Sequence, residues 1–115
     1  MATQEKVQIN LEGVKLAQKI MEQLVEVRPE HSFSFVLNEE GNQAISESIK
    51  IAEWGIGGNK SKLKATALEI LETIDDIPTG EPVNINFTEY EIKSITEVYD
   101  ALGKALENQE DGFLP

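Results

Sequence analysis

The sequence contains no cysteine, a single histidine at His31 and a single tryptophan at Trp54. Without cysteine there can be no disulfide, no thiolate nucleophile and no sulfur-ligated zinc or iron–sulfur centre. With one histidine, the familiar nucleophile–base pairs reduce to a Ser–His arrangement. His31 lies in Arg28-Pro29-Glu30-His31-Ser32, where no spacing supplies a partner, so it reads as a solvated loop residue. No stretch approaches the roughly 20 apolar residues of a membrane span, and Met1-Ala2-Thr3-Gln4-Glu5-Lys6 leads into no apolar leader run. These absences predict a non-catalytic cytoplasmic protein with no cofactor, no metal and no membrane contact. Asn59-Lys60-Ser61 and Asn86-Phe87-Thr88 match the glycosylation sequon, and with no secretion signal expected they read as chance matches.

Basic residues are also scarce, 10 against 21 acidic, which leaves a net charge of −11 on 115 residues. The imbalance is uneven. Residues 50–64 carry Lys50, Lys60, Lys62 and Lys64 against Glu53, a net +3, whereas residues 65–115 carry twelve acids against Lys93 and Lys104, a net −10. Direct binding to nucleic acid needs a basic footprint and is disfavoured. A partner protein fits the charge better, and a basic one fits it best. Self-repulsion at this charge would be relieved by association or bound cations, which suits a homo-oligomer.

The length matches one domain over residues 1–115, with residues 1–6 and 108–115 expected to be flexible. Apolar residues at Val14, Ala17, Ile20, Met21, Leu24 and Val27 form one helical stripe over residues 12–28, closed by Pro29. Ser32-Phe33-Ser34-Phe35-Val36-Leu37 reads as a strand. Ile45, Ile49, Ala52 and Ile56 fit a helix from Glu39, although residues 45–56 also admit a strand. Asn59 or Ser61 is expected to cap a third helix striped by Leu63, Ala67, Ile70, Leu71 and Ile74. Pro78-Thr79-Gly80-Glu81-Pro82 is a turn. Val83 and Ile85 then alternate with asparagines, and Thr88 with Glu91 forms a capping box ahead of a final helix through Ile92, Ile95, Val98, Tyr99, Leu102 and Leu106.

The fold class expected is therefore helix-rich α+β, about four helices with two or three short strands, the alternative being an all-α four-helix bundle. Val7-Gln8-Ile9-Asn10-Leu11 is echoed by Val83-Asn84-Ile85-Asn86-Phe87, but the stripes that follow are displaced by 78 positions where the strands are displaced by 76. The mismatch favours shared strand-to-helix grammar over internal duplication.

Gly57, Gly58, Asn59 and Lys60 form the candidate anion site, since glycines admit backbone N–H groups to an anion and a helix start adds its dipole. A nucleotide-binding loop would need glycine where Trp54 and Asn59 stand. Trp54, Lys62, Lys64, Glu89, Glu97, Asp100, Phe113 and Leu114 are the candidate partner-binding residues: an aromatic hot spot, the basic segment, clustered acids and an apolar tail. The acids Glu69, Glu72 and Asp76 read as a solvated helix face. The function expected is a non-catalytic protein-binding module that regulates, adapts or assembles. The alternatives are an acidic nucleic-acid-mimicking inhibitor of a DNA- or RNA-handling protein, of the kind found in phages and mobile elements, and an anion or nucleotide binder through the Gly-rich turn.

Overall fold

The computed structural model describes residues 7–108 and 113–114, and side-chain environments for residues 9–108. In chain order the elements are β1 (Val7–Gln8), α1 (Leu11–Val25), β2 (Phe33–Val36), α2 (Glu39–Gly55), a 3-10 turn (Gly58–Lys60), α3 (Ser61–Asp75), β3 (Pro82–Ile85), α4 (Glu89–Asn108) and β4 (Phe113–Leu114). The protein is helix-rich α+β.

Of segment 45–56, residues 45–55 belong to a helix, α2, and Ile56 is its C-cap, so the sheet content is small. β2 and β3 pair antiparallel, with Phe33 opposite Ile85, Ser34 opposite Asn84, Phe35 opposite Val83 and Val36 opposite Pro82. The first extended segment does not join this ribbon. It pairs instead with Phe113–Leu114, as Val7 opposite Leu114 and Gln8 opposite Phe113. Helix α4 continues to Asn108, while residues 1–6, 109–112 and 115 lie outside the described residues.

Helix α1 stops at Val25, short of Arg28, because the Val27 amide turns back to the Leu24 carbonyl at 3.4 Å. The caps follow side-chain chemistry. Asn38 accepts from the Gly41 amide at 2.8 Å, and Thr88 and Glu91 exchange the two bonds of a capping box at 3.2 and 3.0 Å. Helix α3 departs from expectation. Neither Asn59 nor Ser61 caps it; its N-cap is Lys60, which has no acceptor to offer, and the 3-10 turn leads the chain in.

Val14, Ala17, Met21 and Leu24 of α1 pack with Ile45, Ile51 and Ala52 of α2, Leu71 and Ile74 of α3, and Ile95, Val98 and Leu102 of α4. The ribbon contributes Val83 and Ile85 to the same core.

The two halves of the molecule repeat at a uniform offset of 50 residues. Helix α1 (11–25) maps onto α3 (61–75), the N-caps Asn10 and Asn38 onto Lys60 and Thr88, and the ribbon register maps onto itself with Ser34 and Asn84 at its centre. Single hydrogen bonds repeat as well. Glu30 donates its amide to the Phe87 carbonyl at 2.8 Å, and Gly80 donates to the Leu37 carbonyl at 3.0 Å. Both donors have positive φ, 66° at Glu30 and 88° at Gly80. The buried positions Ala17, Met21, Leu24, Leu37, Ala44, Ile45 and Ser48 find buried counterparts at Ala67, Leu71, Ile74, Phe87, Ser94, Ile95 and Val98. The architecture is thus a helix–strand–helix unit used twice about a pseudo-two-fold axis. The echo at 76 and 78 compared elements that are not equivalent.

Candidate functional site

The basic segment is tied into the fold by its own lysines. Lys60 reaches across to Glu97 at 2.9 Å, and Lys64 donates to the Glu53 carbonyl near the end of α2 at 2.8 Å. Lys62 is exposed in the first turn of α3. Gly57 and Lys60 of the anion candidate share an open groove of about 520 Å³ with Glu97 and Asp100 of the partner candidates. Lys104 and Glu107 line the same groove, so three carboxylates stand against two ammonium groups there. A free anion would compete with Glu97 for Lys60 and meet two further acids.

Trp54 is half-buried against the core near the end of α2, and Glu89 is exposed in the first turn of α4. Phe113 and Leu114 form β4 against β1. These three places are separate from one another in the fold elements that carry them. His31 is exposed, its Nδ1 3.1 Å from the Pro29 carbonyl oxygen. Glu69, Glu72 and Asp76 are exposed, as their helical spacing requires. Among the described residues no three His, Cys, Asp or Glu side chains converge to hold a metal ion, and no helix is long and apolar enough to cross a membrane.

The sequence pattern did not point to two clefts that flank the β2–β3 ribbon. The first, of about 600 Å³, lies between α1 and β2. The second, of about 290 Å³, lies between α3 and β3. They are the same cleft in the two halves, since Lys19, Ile20, Leu24, Phe33, Phe35, Leu37 and Gly41 of the first correspond to Glu69, Ile70, Ile74, Val83, Ile85, Phe87 and Glu91 of the second. Their chemistry has diverged. The α1–β2 cleft offers Leu16, Ile20, Phe33, Phe35 and Val36, with Lys19 and Glu40 also lining it. The α3–β3 cleft has Thr66 for Leu16, Glu69 for Lys19, Asn86 for Val36 and Glu91 for Gly41, with narrower strand side chains. Phe33 and Phe35 pack with their rings tilted by 40° and their centroids 5.6 Å apart, and each remains half-buried. Val36, at 60% exposure, is one of two exposed large hydrophobic side chains among the described residues, the other being Tyr90 at 44%.

A comparison of residue i with residue i + 50 is the signal that would have found these clefts. No family model, curated protein or solved structure matches this chain.

Proposed function

We propose that the protein is a non-catalytic protein-binding module of the cytoplasm, and that its binding element is the α1–β2 cleft. The observation that supports this reading is the divergence of two equivalent clefts. Both serve the same structural duty beside the ribbon, yet one has the larger volume and leaves Val36 exposed where the other has Asn86. Apolar surface held open to water costs about 25 cal/mol per Å² relative to burial, so a patch of this kind in a small domain marks a surface that is covered in use.

The test compares equivalent substitutions in the two halves. Tagged wild type, Val36→Lys and Asn86→Lys are used to capture proteins from lysate of the native host, untagged copies of the chain included. Val36→Lys is expected to lose what wild type holds, and Asn86→Lys to keep it. Identical recovery from all three would overturn the assignment.

A second reading, mimicry of nucleic acid, gains support from exposed acids that occur at equivalent positions of both halves: Glu22 and Glu72, Glu26 and Asp76, Glu39 and Glu89. Two-fold-related rows of carboxylates suit a basic protein built for duplex symmetry. Its signature is capture of a DNA- or RNA-handling protein that high salt releases and that Glu39→Gln with Glu89→Gln no longer binds. The anion-binder reading has less behind it, because Lys60 and Lys64 already serve acceptors of the protein itself.

A further inference from the structure

Within the protein-binding reading, the two edges of the ribbon differ in a way that names the occupant of the α1–β2 cleft. Among the described residues each strand of this ribbon pairs on one side only, and an edge of that kind presents backbone groups that are a template for a further strand. The β3 edge carries the usual safeguards. It begins with Pro82, and carboxylates of Glu69 and Glu91 line the cleft beside it. The β2 edge, Phe33-Ser34-Phe35-Val36, has no charge and no proline, and it ends on the exposed Val36.

A strand added to this edge would send alternate side chains into the cleft beneath, whose floor is Leu16, Ile20, Phe33 and Phe35. Among the described residues the same cleft has one cation, Lys19, and one anion, Glu40. A surface with one charge of each sign has no net pull on a uniformly charged partner, and it is self-complementary where a two-fold axis sets each charge opposite the other. We propose that the α1–β2 cleft is the docking site for a second copy of this chain. The β2 strands of the two copies pair antiparallel, the ribbons join into four strands, and Lys19 of each copy meets Glu40 of the other. The Phe33 and Phe35 rings of each copy then cover the apolar floor of its neighbour. Because two chains of net charge −11 repel, salt that screens this repulsion strengthens the dimer.

Sedimentation equilibrium of the purified full chain over a wide concentration range, at low and moderate salt, tests the proposal. Wild type is expected to form a reversible dimer that tightens as salt rises. Lys19→Glu and Glu40→Lys each place like charges together and are expected to weaken it by roughly tenfold or more. The double variant Lys19→Glu/Glu40→Lys restores the pairing with its signs exchanged and should return to near wild-type affinity, a recovery that misfolded single variants could not give. Val36→Lys should be monomeric and Asn86→Lys should dimerise as wild type does. A wild type that stays monomeric throughout, or a dimer indifferent to Val36→Lys and to both charge reversals, overturns the second copy as occupant. If such a protein still loses a captured partner on Val36→Lys, the cleft binds a different protein and the protein-binding reading stands. If capture is also unchanged, both fall.

Discussion

Glu47 sets its buried carboxylate on the backbone amide of Asn10, with Oε2 3.2 Å from the nitrogen and 37 residues of chain between them. Its other oxygen receives Lys50 at 3.1 Å, and its side chain is 7% exposed. Half a molecule away, Glu97 meets Lys60 at 2.9 Å with a side chain 19% exposed. The same glutamate thus anchors the start of the preceding helix in both halves, once through a backbone N–H and once through an ammonium group.

Burial separates the two in stability. Glu47→Ala leaves a helix-start amide without its acceptor and is expected to cost about 1–3 kcal/mol. Glu97→Ala removes an ion pair whose lysine is about half exposed and should cost less than about 1 kcal/mol. Urea denaturation of both variants checks the order, and equal costs would show that the Asn10 bond carries no special weight.

Glu30 and Gly80 occupy equivalent positions with φ of 66° and 88°, and substitutions at the two should have opposite signs. An L-residue held in the left-handed region is strained by about 1–2 kcal/mol, partly offset by the larger unfolded-state entropy of glycine. Glu30→Gly is therefore expected to stabilise by a few tenths to about 1 kcal/mol, and Gly80→Ala to destabilise by about 1 kcal/mol. Thermal melts of the pair decide the matter; a loss of stability in Glu30→Gly would mean that its side chain contributes more than its backbone strain costs.

A Cβ added at Gly55 would stand 2.8 Å from the Cβ of Ala101, where α2 crosses α4. Alanine gains up to about 1 kcal/mol over glycine in a helix interior, less at a terminal residue, so the sign depends on whether the helices separate. Ala101 is 2% exposed, which leaves little room to yield. Gly55→Ala is expected to destabilise by about 1–3 kcal/mol, and adding Ala101→Gly should recover part of it as a positive coupling in a double-mutant cycle. Simple additivity would show that the crossing relaxes freely.

Leu71 of α3 and Ile95 of α4 are both fully buried. Leu71→Ala and Ile95→Ala should each cost about 2–5 kcal/mol in denaturant unfolding. A cost below about 0.5 kcal/mol at either would contradict its place in the core.

Much of this was legible in the chain itself. The stripes through Met21, Leu71 and Ile95 gave the helices because a core-facing helix must repeat its apolar residues every three to four positions. Thr88 and Glu91 gave the start of α4 because a Thr–x–x–Glu pair can satisfy two of the free N–H groups of a helix start reciprocally. The pairing of strands was not legible. Val7–Gln8 and Phe113–Leu114 are too short to carry an alternation, and partners more than a hundred residues away, Leu114 for Val7 and Phe113 for Gln8, leave no local trace. The 50-residue repeat was hidden by substitution: Glu30 with Gly80, Lys19 with Glu69 and Val36 with Asn86 share geometry without sharing chemistry. The clefts were missed for the same reason, since they are built from residues that read individually as ordinary helix and strand positions. The basic segment, conspicuous by composition, turned out to spend Lys60 and Lys64 on Glu97 and the Glu53 carbonyl.

The ribbon has a consequence for how the molecule comes apart. Each half supplies one strand of the ribbon, and among the described residues that strand pairs only with the one from the other half. The turns also lean on the opposite half, Glu30 on Phe87 and Gly80 on Leu37. Neither half can therefore retain its hairpin-like centre once the other melts, and an isolated two-stranded ribbon is itself marginal in water. Unfolding should be all-or-none in spite of the internal repeat, unlike a solenoid, whose units contact only their neighbours and melt in stages.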